Sequence, residues 1–194
     1  MRTVIFAAFV FVVSAIFLPA AASAQRDYFT PEEVELIRDA QAIDKRIDVL
    51  THAIDRRFAA LKVDVGGGKI SEKEIKLWGE IPQGTRFDLL VDVKRILQKA
   101  IDDIDNLAER PDSAIIPDKD DKKAEGYAII FPRAVRNLAA AAKRYQPALK
   151  AELDSTKDGM AKGPILDSIE MCDEIIAAVG KLPAESTATP AKKH

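Results

Sequence analysis

Asp44, Asp48, His52 and Asp55 follow one another at helical spacing, and His52 is the only histidine in the chain apart from the terminal His194. Residues three and four apart share one face of a helix. Asp48, His52 and Asp55 are therefore the candidate ligands for a divalent metal. A structural metal site needs about four well-placed ligands in a closed geometry, more than one helix supplies. The preferred reading is a solvated charged face pointing away from the core, on which Asp48 and His52 form a favourable i,i+4 pair. No metal site is expected.

Other chemistry is sparser still. Cys172 is the only cysteine, which excludes covalent haem attachment through C-x-x-C-H and any intramolecular disulfide. It falls on the apolar stripe of a predicted helix, where a free thiol behaves as a small buried hydrophobe. Non-covalent haem would need inward-facing His or Met. The Met residues beyond the leader are Met160 and Met171, and His52 is expected to face outward. The Glu-x-x-His pairs of di-iron helical proteins are missing, so no cofactor is expected. The run Asp118-Lys119-Asp120-Asp121-Lys122-Lys123 hints at calcium. It places Lys123 where an EF-hand turn needs Gly, and Ile129 where a bidentate Glu belongs. Gly66-Gly67-Gly68 follows a predicted helix rather than a strand, with no Lys-Ser/Thr in P-loop spacing, and reads as a hinge. There is no G-x-S-x-G elbow, and a Ser or Cys nucleophile could draw only on His52 as its base.

The first 24 residues carry the clearest biological signal. Arg2 is followed by an uncharged, mostly apolar run from Thr3 to Leu18, then Pro19 and the small residues Ala20 to Ala24. Ala22-Ser23-Ala24 fits a small-x-small cleavage site, with the cut between Ala24 and Gln25. The expected product is extracytoplasmic, either periplasmic or secreted. The alternative is an uncleaved anchor, because the charge-free run from Thr3 to Ala24 is long enough to cross a bilayer. Only in that case is a membrane association expected.

The remaining residues amount to one ordinary domain. The 194-residue chain has 29 basic and 31 acidic residues and a formal net charge of −2. Nucleic-acid binding needs a basic footprint, so it is not expected.

The elements that must position these side chains are almost all helical, since no long run alternates apolar and polar residues with period two. Thr30, Pro31 and Glu33 form a capping box, with Phe29 and Val34 as its hydrophobic staple. Apolar residues then recur at Leu36, Ala40, Ile43, Ile47, Leu50, Ile54, Phe58 and Leu61, which predicts one helix from Pro31 to Lys62. Ser71 and Glu74 repeat the capping spacing and predict a short helix ending near Trp78-Gly79. Thr85 and Asp88 open a second long helix with an apolar face from Leu89 to Leu107, closed by Pro111. A third is expected from Pro132, with a kink or break at Pro147. A fourth is expected from Gly163-Pro164 to Gly180.

Four long amphipathic segments satisfy themselves most simply by packing together. The predicted fold is all-α: an antiparallel up-down-up-down four-helix bundle, with a short extra helix in the first connection. The predicted division is a leader at 1–24, one helical domain at 25–182 and a tail at 183–194. The second helix ends in Asp102, Asp103, Asp105 and Glu109 and the third begins with Arg133 and Arg136. Each group opposes its own helix dipole, and the two are expected to compensate each other across the interface. The functional expectation is a non-enzymatic binding protein with a protein partner in the cell envelope. Trp78 and Tyr127 are the candidate partner-binding aromatics, unless they plug the ends of the bundle. The alternative is a bundle that holds a cofactor, a metal or a small ligand between its helices.

Overall fold

A computed structural model of the chain describes residues 27–67, 70–114 and 125–183. The leader with its Ala24/Gln25 cut, the charge run at 118–123, Gly68 and the chain from 184 onward lie outside the described residues. Six α-helices account for most of the rest: α1 (Pro31–Asp39), α2 (Ile43–Ala60), α3 (Glu72–Trp78), α4 (Arg86–Glu109), α5 (Tyr127–Ser155) and α6 (Gly159–Ala178). No strand occurs among the described residues, and no helix among them is long and apolar enough to cross a membrane.

The predicted apolar stripes form the core. Ile47, Leu50, Ile54 and Phe58 of α2 are fully buried, as are Val93, Ile96, Leu97 and Ala100 of α4. Ala142, Tyr145 and Leu149 of α5 and Ile165 and Cys172 of α6 join them. The rings of Phe58 and Tyr145 stack at 5.4 Å, and the Tyr145 hydroxyl donates to the Thr51 carbonyl at 2.9 Å. Capping follows the sequence at Thr30 and at Thr85, each with both halves of its capping box formed.

The expected single helix from Pro31 to Lys62 is instead two. The ladder stops at Ala40, whose ψ of 76° leaves the helical region, and α2 restarts after Ala42. No glycine or proline marks this break. Its cause is long-range: Glu33 bonds Arg57, 24 residues on, whereas a straight helix would hold them about 36 Å apart. Arg46 Nε donates to the Ala40 carbonyl at 3.0 Å and so secures one of the groups that the break frees.

Helix α5 begins at Tyr127, not Pro132, so the short β-like run Ala128–Phe131 is helical. The helix also continues past Pro147 to Ser155. Pro147 and Lys143, whose carbonyl loses its donor, are both exposed positions, so solvent can serve that carbonyl. Helix α6 starts at Gly159, capped by Asp158 Oδ1 on the Met160 N–H at 2.9 Å.

Helix order also differs from a bundle in which each helix neighbours the next in sequence. Helix α2 packs between α4 and α5, and α6 covers the other side of that pair. Three polar contacts fix the register of α2 and α5: Arg133 to Asp44, Asn137 to Asp48 and Arg144 to Asp55, each spanning 89 residues. A constant offset means that these neighbours run parallel. Helices α4 and α5 touch each other less than either touches α6. The expected compensation between Arg133 and the α4 carboxylates gives way accordingly. Arg133 pairs with Asp44 and Glu125, Arg136 donates to the Pro183 carbonyl, and Asp103 takes Lys99 at 2.7 Å.

Cys172 is fully buried, and burial pushes its thiol up to about 12. Alkylation at mildly alkaline pH should leave the native protein unmodified and label Cys172 only on unfolding. Rapid labelling of the folded chain would contradict this packing. Tyr145→Phe should cost about 1 kcal/mol in denaturant unfolding, the usual worth of one buried hydrogen bond.

Candidate functional site

The site begins with a carboxylate that the sequence assigned only to helix capping. Glu33 is fully buried. Its Oε2 accepts the Thr30 N–H at 3.0 Å and Arg57 Nη2 at 2.7 Å, and its Oε1 accepts Arg57 Nη1. Arg56 Nε lies 3.2 Å from the same Oε1. Arg56 and Arg57 are each 1% exposed. Arg57 also donates to the carbonyls of Tyr28 and Ala53 and lies 3.9 Å from Asp92. Arg56 Nη2 donates to the Gly79 and Glu80 carbonyls at 3.1 and 2.6 Å, and its guanidinium sits 5.7 Å from the Trp78 ring centroid. One carboxylate thus anchors α1 to α2, and one arginine anchors the end of α3.

Above Arg56 opens a cleft of about 590 Å³, lined from α2 by His52, Asp55, Arg56 and Ala59, from the 62–67 turn, and from the α3 side by Ile70, Glu74 and Ile81. Its volume lies in the usual range for ligand sites. His52 Nε2 meets Glu74 Oε1 at 2.6 Å. A carboxylate can only accept, so this bond places the ring proton on Nε2. The Trp78 ring lies 4.3 Å from the imidazole. Asp55 takes two bonds from Arg144, each 3.2 Å, and Arg144 Nη1 also holds the Val65 carbonyl at 2.9 Å.

The turn after α2 is constrained. Lys62 has φ +62°, with its N–H on Ala59 and that of Val63 on Phe58. This is the left-handed helix-end position at which glycine is favoured. At Gly67 an added Cβ would sit 2.4 Å from Asp55 Oδ2, so only glycine brings this loop against the Asp55–Arg144 pair.

The expected solvated face holds at Asp48, which stays 49% exposed, and is overturned at Asp44, His52 and Asp55. Asp44, Asp48 and Asp55 meet Arg133, Asn137 and Arg144 of α5, and His52 is covered by Glu74 and Trp78 of α3. Side chains that alternate with an apolar stripe lie in a second interface here, because α2 is flanked on two sides. Asp48, His52 and Asp55 each have a different partner and do not converge. No group of three or more metal-ligating side chains occurs among the described residues. Trp78 is half-buried against His52 and Arg56, and Tyr127 is half-buried against Phe131, with ring centroids 4.9 Å apart. Only Trp78 of these two aromatics belongs to the site. The buried Arg57 had a legible signal, since it stands three residues after Ile54 and four before Leu61, on the apolar stripe itself. Glu33 and Arg56 had none.

The cleft offers an oriented imidazole, cationic donors and an aliphatic wall. No hydroxyl or thiol stands among its described lining residues, so His52 has no side-chain nucleophile there to activate. Burial pushes the Arg56 guanidinium below its ordinary value, and Glu33 opposes that shift. Arg56 Nη1 is buried without a hydrogen-bond partner.

Glu33→Gln should destabilise the protein by about 3–5 kcal/mol in denaturant unfolding, because it leaves two buried guanidiniums without their shared carboxylate. A loss below about 1 kcal/mol, the range of a surface pair, would contradict the geometry. Set against family models, curated proteins and solved structures, the chain matches none of them, so the chemistry of this site rests on its own geometry.

Proposed function

We propose that this chain is an exported helical protein that works by binding rather than by catalysis. In this reading α2, α4, α5 and α6 form an up-down-up-down four-helix bundle with a diagonal crossing between α4 and α5. The two short helices build a ligand site at the C-terminal end of α2. The observation that carries it is the cleft itself. Glu74 is engaged with His52, Asp55 with α5 and Asp64 with the Gly66 N–H, while the buried Arg56 Nη1 still lacks a partner. Buried donors in native structures are nearly always satisfied, so an orphan beside a cleft of ligand size supports a ligand.

A partner protein is the second reading. It is favoured by Leu77 and Val34, which are 60% and 40% exposed on the adjoining helices α3 and α1. Large exposed apolar side chains on adjoining helices are where a partner surface would form.

Native mass spectrometry of the protein purified from its own envelope fraction separates the two. The proposal expects one small molecule per chain, released on denaturation. A bare chain held stoichiometrically to a second protein, and freed from it by Leu77→Asp, would favour the partner reading. N-terminal sequencing of the same material should begin at Gln25. A start at Met1 would contradict export with cleavage and favour a retained membrane anchor.

A further inference from the structure

The cleft's polar groups are unequally committed. Among its carboxylates, Glu74 is held by His52, Asp55 by Arg144, and Asp64 Oδ1 by the Gly66 N–H at 2.8 Å. Its cations are not spent in this way. Lys62 forms no ion pair among the described residues, and Arg56 shares Glu33 with Arg57 and keeps Nη1 unpartnered. Each of the three carboxylates thus takes at least one hydrogen bond, while Lys62 and Arg56 Nη1 keep donors that none of them takes up. The rest of its wall is aliphatic, from Ala59, Val63, Val65, Ile70 and Ile81.

Lys62 adds an independent observation. A non-glycine residue in the left-handed region pays roughly 1–2 kcal/mol, and glycine would occupy this helix end at no such cost. Backbone strain of this kind concentrates at functional sites. Here it is borne by the exposed cation at the rim of the cleft.

Resting on the ligand-binding reading above, we propose that the cleft between α2 and α3 binds a small organic carboxylate. Lys62 and Arg56 receive its anionic head, and the aliphatic wall receives its apolar body. The aliphatic lining favours an organic anion over inorganic phosphate, which would leave that wall uncovered.

Trp78 is the only tryptophan in the chain and touches both His52 and Arg56, so its fluorescence reports on the cleft. The full exported chain is titrated with hexanoate, with hexylamine and with inorganic phosphate, each to millimolar concentration. Hexanoate is expected to give a saturable change and the other two none. Lys62→Gly is expected to weaken hexanoate binding about tenfold, as for a lost charge-assisted bond. The same variant should melt at a higher temperature, because glycine relieves the strained helix end. A rise in melting temperature together with a loss of affinity is an outcome that a misfolded variant does not produce. Unchanged affinity in Lys62→Gly would overturn the proposal. Saturation by hexylamine or phosphate in place of hexanoate would overturn it too, while leaving the ligand-binding reading intact. A Trp78 signal that none of the three moves would overturn the proposal and count against the cleft as a ligand site.

Discussion

The Glu33 carboxylate, buried between Arg56 and Arg57, is the interaction on which the rest of this end of the molecule depends. Taking three charges out of water is expensive, and a buried ion triad is weak evidence for stability. Its stronger consequence is positional. To reach Arg57, α1 must leave the axis of α2, so the chain breaks at Ala40–Ala42 where no local residue demands it. Arg56, with its Nε beside the same carboxylate, turns its far nitrogen to the Gly79 and Glu80 carbonyls and sets where α3 ends. Once α3 is fixed, Glu74 meets His52 and Trp78 covers it. The cleft is what remains between α3 and the turn after α2.

A second constraint comes from the polar seam between α2 and α5. Asp44, Asp48 and Asp55 are spaced by one and two helical turns, and each meets a residue of α5 at the same offset. A partly buried polar seam contributes little net stability for each pair, but it fixes register, because a shift of one residue would separate all three contacts. It also sets direction. Parallel neighbours need a return between them, and α4, which lies between α2 and α5 in the chain, supplies it. The same seam feeds the site, since Arg144 reaches across Asp55 to hold the Val65 carbonyl and with it one wall of the cleft.

Much of the helical fold was legible because apolar periodicity reports burial directly. The stripes of α2 and α4, the capping boxes at Thr30 and Thr85 and the buried Cys172 follow from local spacing. Helix starts were less legible at Tyr127 and Gly159, because Pro132 and Pro164 resemble first-turn prolines while standing inside their helices. The charged face of α2 was misread for a different reason. Periodicity separates apolar from polar positions, but it does not separate solvent from a polar interface. His52 therefore looked exposed until α3 folded over it. The site was the least legible part. Its pieces come from α1, α2, α3 and the turn at 62–67, and the tie among them is a salt bridge across 24 residues.

The central claim is that the Glu33 triad holds α3 in place and thereby builds the cleft. Amide hydrogen exchange measured by residue, in the wild-type chain and in Glu33→Gln, tests it most directly. The account predicts that amides of α1, of α3 and of the Gly79–Ile81 link lose protection together. Those in the centres of α4, α5 and α6 should change only as far as global stability falls. Loss of protection confined to α1, with α3 as protected as in the wild type, would contradict it.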